Sequence, residues 1–268
     1  MNPEPAVRTR LSVTAAFATA LLLTSCGGGS DDAGGGSGSG SEDVLRVATE
    51  GTYAPFSFHD PSSNELTGYD VEVAEAVGAE LGMEVEFSET QFDAIFAGLE
   101  ADRYDVIANQ VTVNPEREEQ YLFSAPYTVS TGVVVTRADD DSVTSLADVA
   151  GKRSAQSSTS SFAEVATEAG AQIETVEGFA QAITLLKQGR VDVTINDSLA
   201  FLEYQQSTGD EDVRIAAEID PPSEQAFAFR QDSADLQARV DEALAALRAD
   251  GTLARISEEY FGEDVSGE

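Results

Sequence analysis

Cysteine and histidine each occur once in the 268 residues, tryptophan is absent, and lysine appears twice against thirteen arginines. A lone cysteine can close no disulfide within the chain, and one histidine with one cysteine cannot furnish the ligand set of a structural zinc site. Bases of any kind are scarce: 15 Lys and Arg face 49 Asp and Glu, for a formal net charge of −34. Such a body repels phosphate backbones and anionic lipid surfaces, so nucleic acid is not an expected partner. Long apolar runs are missing as well, apart from residues 11–23, which are too few to span a bilayer comfortably. What is present is ordinary. A hydrophobic content of 41% suits a globular fold with a proper core, and the length allows one large or two small domains.

The single apolar run follows Arg8 and Arg10 and reads as an export signal. It ends in Leu23-Thr24-Ser25-Cys26, which resembles the bacterial lipobox, whose cysteine is lipidated and becomes the first residue of the mature protein. On this reading residues 1–26 are a lipoprotein signal peptide, and lipid on Cys26 ties the protein to the outer face of the cytoplasmic membrane. Residues 27–43 are almost all Gly, Ser and Asp and lack apolar groups to pack, as expected of a flexible tether. Loss of the signal removes Glu4, Arg8 and Arg10 and takes the net charge from −34 to −35. So acidic a surface suits either a high-salt setting, where ions screen self-repulsion, or simply a soluble secreted protein.

From Val44 the chain alternates strand and helix signals. Leu45-Arg46-Val47-Ala48 predicts a strand, and Asp70 opens a helix in which Val73, Val77 and Leu81 recur every four residues. Val85 and Phe87 predict another strand. Thr90-Gln91-Phe92-Asp93 has the spacing of a helix-capping box, with Asp in place of Glu. A second cycle begins with the β-branched run 131–136, and Gln225-Ala226-Phe227-Ala228-Phe229 predicts a second crossing strand ahead of a C-terminal helix. Two α/β cycles of similar size predict two lobes. The first comprises residues 44–130 and 225–262, the second residues 135–220, with 263–268 as a tail; two crossings between them make a hinge.

The ligand site is expected in the ten residues Ala108 to Arg117, which leave the strand-like run Tyr104-Asp105-Val106-Ile107. In α/β domains small molecules bind just beyond the carboxyl ends of strands. Asn109, Gln110 and Thr112 are polar groups at that place, and the guanidinium of Arg117 fits a carboxylate with two hydrogen bonds. Spacing alone leaves a second reading, in which Glu116-Arg117-Glu118-Glu119 is a solvated charge run.

At Gly68-Tyr69-Asp70-Val71-Glu72-Val73-Ala74-Glu75-Ala76-Val77 the chain resembles bacterial extracellular solute-binding proteins of polar amino-acid ABC transporters, and the resemblance extends over the whole folded part. Within that family it is most similar to the cystine-binding proteins, through residues 49–59, Ala108-Asn109-Gln110-Val111, residues 178–183, residues 194–199 and residues 261–265. The resemblance implies an α/β, two-lobed periplasmic-binding-protein-like (type II) fold with two hinge crossings. It implies that Arg117, Thr112 and the helix start at Thr159 hold the ligand α-carboxylate, and that Asp197, helped by Gln110, takes the α-ammonium. Glu50, Tyr53 and Phe92 match positions around the ligand side chain, although for Tyr53 and Phe92 plain core packing is the alternative. Ser158 and Phe162 depart from the pattern, which has a leucine and a tryptophan in that loop, and both would widen the pocket or make it more polar.

The expected function is therefore capture of an amino acid, L-cystine first and glutamine, glutamate, histidine or arginine as alternatives, for delivery to a membrane permease. A monomer is expected, with no cofactor and no metal. An enzyme is the weaker reading: relatives of this fold include a dehydratase, and Glu50 with Asp197 could in principle act as acid and base.

Overall fold

The computed structural model describes residues 44–267, so the expected signal peptide, Cys26 and the tether lie outside the described residues. The chain forms β1 (Val44–Thr49), β2 (Thr52–Tyr53), β3 (Ser57–His59), β4 (Leu66–Thr67), α1 (Tyr69–Leu81), β5 (Glu84–Glu89), α2 (Phe92–Glu100), β6 (Val106–Thr112), α3 (Pro115–Glu118), β7 (Tyr121–Phe123) and β8 (Thr128–Arg137). After a short 3-10 turn at Leu146–Val149 come β9 (Arg153–Gln156), α4 (Ser161–Glu168), β10 (Gln172–Thr175), α5 (Phe179–Lys187), β11 (Val193–Asp197), α6 (Ser198–Thr208), β12 (Val213–Arg230), α7 (Ala234–Ala249) and α8 (Thr252–Phe261).

Nine strands share one mixed sheet in the order β10-β9-β11-β8-β12-β6-β1-β5, with β7 added to β12. Each end of it is a parallel unit: β1 pairs in parallel with β5 and β6, and β9 with β10 and β11. The two long strands β8 and β12 join these ends. They pair antiparallel with each other from Arg137 opposite Val213 to Thr128 opposite Gln225, and β12 runs on to pair with β6. Both crossings are thus continuous strands, and the two-lobed α/β fold rests on them.

The period of two along the strands sorts the core. Leu45 and Val47 of β1 face α1, α7 and α8 with Val73, Val77, Val240 and Leu244, whereas Ala48 faces α2 with Ile95 and Leu99. The other end of the sheet has the same construction, with Val133 and Val135 on one face and Val134, Val193 and Ile195 on the other. Gly68, at φ +129°, admits the chain into α1: a β-carbon there would lie 2.3 Å from the Phe56 carbonyl oxygen.

Three expectations need correction. The strand after Tyr104 does not end at Ile107 but continues to Thr112, because Val111 and Thr112 pair with Ala226 and Gln225 of β12; its polar side chains are buried against polar partners rather than looped out. The second crossing is longer than its apolar part, since β12 begins at Val213 and absorbs Pro221 and Pro222 where its ladder with β8 is shifted. The capping box does not form. Gln91 is the N-cap of α2 without a side-chain bond, and the Asp93 carboxylate is engaged elsewhere.

Candidate functional site

Between the two parallel ends of the sheet lies a cavity of about 60 Å³, room for several waters or a small polar molecule. Its first wall is built from the carboxyl ends of β1 and β6 and the starts of α2 and α3. Glu50, Tyr53, Phe92, Asn109, Gln110, Thr112 and Arg117 all line it. Strand geometry explains the grouping, since β1 and β6 are parallel neighbours and deliver their following residues to the same edge.

Arg117 sits on α3, whose N-cap Asn114 accepts a hydrogen bond from the Arg117 amide at 2.9 Å. The guanidinium is held over Phe96 and Phe92, 5.2 and 5.9 Å from their ring centres. It donates to the Thr112 carbonyl at 2.9 Å and, across the cleft, to the Thr159 carbonyl at 3.1 Å, and among the described residues it enters no salt bridge. The residue is 8% exposed. Burial pulls its pKa down to about 10, against the opposing charges of Glu164 and Glu116. A cation buried without a charge partner is costly, and a carboxylate is the group that relieves it. Arg117 also lines a wider outer groove, so it stands at the passage between cavity and solvent. Of the two readings of the charge run, Arg117 is inside and Glu116, Glu118 and Glu119 are exposed.

Gln110 takes φ +48°, a conformation uncommon for a side-chain-bearing residue, where the β6–β12 ladder shifts between Ala226 and Ala228. Its amide nitrogen donates to Asp70 at 2.6 Å and to the Thr128 hydroxyl at 3.1 Å, which leaves its oxygen buried without a partner. Asn109 organises Glu50. Its oxygen accepts from the Glu50 amide at 2.7 Å, and its nitrogen donates to the Glu50 carboxylate at 3.0 Å. Burial raises the Glu50 carboxyl to about 7, opposed by the Asn109 bond and helped by the charge of Asp93.

The far wall comes from the loop after β9, the start of α5 and the end of β11. Here the structure differs from the expectation. Ser158 and Thr159 do not line the cavity; Ser157, Ser160, Ser161 and Phe162 do, while the amides and hydroxyls of Ser158 and Thr159 converge on Asp93. Asp197 lies one residue behind the wall. It caps α6 by accepting from Leu199 N at 2.8 Å, takes a second bond from the Ser130 hydroxyl, and is raised to about 6 by burial. Asn196, which precedes it, reaches the cavity and accepts from the Tyr53 hydroxyl at 2.6 Å. Sequence reasoning missed Asn196 and Phe179. Both follow from the rule that had found Asn109: residues at the carboxyl end of a strand or the start of the next helix face the cleft.

Residues 45–263 match the family model for bacterial extracellular solute-binding proteins, family 3. The chain belongs to that family. It is 51% identical to the L-cystine-binding protein TcyA of Bacillus subtilis (strain 168) over 223 residues, 83% of each chain. Two solved structures frame the geometry of this family member. An ancestral arginine-binding protein bound to arginine is 33% identical, covers 82% of this chain and 98% of its own, and has a TM-score of 0.76. The L-cystine solute receptor of Neisseria gonorrhoeae in its unliganded open conformation is 43% identical, covers 85% of this chain and 97% of its own, and has a TM-score of 0.57. The protein is thus an amino-acid ABC transporter substrate-binding protein close to the cystine-binding proteins, and not an enzyme.

Proposed function

We propose that the cleft closes on L-cystine and that the protein, anchored through lipid on Cys26 at the outer face of the cytoplasmic membrane, hands it to a permease. The observation that carries the ligand class is Arg117, a buried guanidinium with no anionic partner among the described residues, at the edge of the cavity of about 60 Å³. The α-carboxylate pairs with it, and Thr112 lies beside it. The α-ammonium goes to the orphaned oxygen of Gln110, with the negative charge of Asp197, one residue behind the wall, compensating it, so that neither charge of the zwitterion is left uncompensated. Glu50, Tyr53 and Phe92 then meet the ligand side chain, where the second ammonium of cystine suits Glu50.

The two ends of the sheet, residues 44–130 with 225–262 and residues 135–220, act as the lobes, and β8 and β12 as the hinge. Similarity supports cystine, because TcyA and the gonococcal receptor are both named for it. L-Arginine is the second reading, favoured by the acid at the side-chain end and by the arginine-bound ancestral structure. Titration calorimetry with cystine, arginine, glutamine, glutamate and histidine decides among them. Heat with none of these removes the amino-acid assignment.

A further inference from the structure

Asp93, on the first turn of α2, reaches across to two consecutive residues of the loop after β9. One carboxylate oxygen accepts from Ser158 N at 3.2 Å and Ser158 Oγ at 2.8 Å. The other accepts from Thr159 N and Thr159 Oγ1, both at 3.1 Å. An ionised carboxylate has about four acceptor positions, and here all four are engaged by groups from a single dipeptide. Against the upward push of burial, these bonds hold the Asp93 carboxyl below its ordinary value, so it stays charged. Other bonds across the cleft among the described residues are single: Tyr53 to Asn196, Ser161 to Thr112, Asn114 to Glu164, and Arg117 to the Thr159 carbonyl.

Among the described residues the donors and the acceptor sit on units whose chain connections run through β8 and β12, so an opening of the cleft about those strands separates them. All three residues are exposed. Water can therefore replace each bond at little cost, which suits a contact made and broken repeatedly rather than a permanent pin. We propose that Asp93 is the latch of the closed cleft, fixing how long a ligand stays rather than which ligand enters. The inference rests on the amino-acid-binding reading for its ligand, though not for its geometry.

The test uses the full chain with Asp93→Asn, which keeps the shape but loses the charge and half of the acceptor capacity. With L-cystine and L-arginine as probes, dissociation should quicken about three- to five-fold while association changes less than two-fold, the split expected of an exposed contact formed after entry. Ser158→Ala, which keeps the amide, should show a smaller increase. Small-angle scattering of the ligand-free variant should give a larger radius of gyration than the parent, with unchanged melting. Unaltered dissociation and scattering would overturn the latch. So would tighter binding, because Asp93 would then be competing with the ligand carboxylate for the donors of Ser158 and Thr159. If neither probe binds the parent chain, the ligand reading fails and the scattering comparison alone supports or overturns the latch.

Discussion

The Gln110 amide nitrogen lies 2.6 Å from the Asp70 carboxylate, with both side chains buried. This contact fixes which way a cavity-lining amide faces. Above about pH 7, where burial lets the Asp70 carboxyl ionise, it can only accept, so Gln110 gives it the nitrogen and keeps its oxygen for something else. Asp70→Asn removes that instruction, because an asparagine can donate as readily as it accepts. Amino-acid affinity should fall by roughly ten-fold, the worth of one hydrogen bond to a charged group, while the fold is retained. Calorimetry on the variant checks this, and affinity within two-fold of the parent would show that the orientation does not matter.

Arg117 should separate stability from binding. Removing it from the ligand-free protein deletes a buried cation without a salt bridge among the described residues, so Arg117→Ala should melt no lower than the parent. Ligand binding should instead drop by at least about a hundred-fold, because a buried carboxylate would lose its charge partner. Arg117→Lys should rescue little, since an ammonium cannot reproduce the planar fork. Thermal shift with and without saturating amino acid reads both effects. Micromolar affinity retained in the alanine variant would remove the carboxylate role.

Asp197 has two duties that one substitution can divide. Asparagine caps a helix about as well as aspartate, so Asp197→Asn should leave α6 and the melting temperature almost unchanged. It discards the negative charge proposed to meet the ammonium, and binding should weaken by about ten- to a hundred-fold. A large drop in melting temperature would mean that the carboxylate is needed for the fold.

Salt gives a test of the acidic surface. With a net charge of −34, self-repulsion acts over a Debye length of about 10 Å at 0.1 M salt and about 3 Å at 1 M. Raising sodium chloride from 0.1 to 1 M should raise the melting temperature by several degrees. No rise would leave the acidity without a stabilising role for salt.

The sequence made the first wall of the site legible because its residues stand at the carboxyl ends of strands with clear apolar cores. Asn109, Gln110 and Thr112 follow a strand-like run, whereas Glu50, Tyr53 and Phe92 came only through the family resemblance, and Arg117 was readable both as a carboxylate fork and as part of a solvated charge run. The far wall was harder. Ser158 and Thr159 are hydroxyl residues at a helix start, the right pattern for an anion site, yet the anion that reaches them is the protein's own Asp93, 65 residues away in the chain. No local pattern carries that distance. The extension of β6 through Asn109 and Gln110 was hidden for a related reason: polar residues inside a strand are stable only when buried partners such as Asp70 and Thr128 satisfy them, and those partners are set by the tertiary fold. Likewise the crossing strand, signalled in the sequence only at residues 225–229, begins at Val213 and continues past Pro221 and Pro222.

The same buried acids give the stability a pH dependence whose sign follows from burial. Desolvation raises the carboxyls of Glu50 and Asp70 to about 7 and that of Asp197 to about 6, above ordinary values near 4. A raised carboxyl contributes its full stability below the unfolded pKa, and that contribution is lost as the pH rises through the folded pKa. His59, raised by the hydrogen bond from its ring to Glu89, acts in the same direction. Carboxyls held low, such as Asp60 and Asp210 at about 2, lose their contribution only in stronger acid, below the window of interest. The ligand-free protein should therefore melt higher at pH 5.5 than at pH 8, with most of the change between pH 6 and 7. Glu50→Gln and Asp70→Asn should each flatten that slope, and saturating amino acid should flatten it too, because an ammonium beside Asp197 stabilises the charged form. Calorimetric melts across pH 5 to 8 measure all of these, and a melting temperature that falls from pH 8 to 5.5 would contradict the burial of these acids.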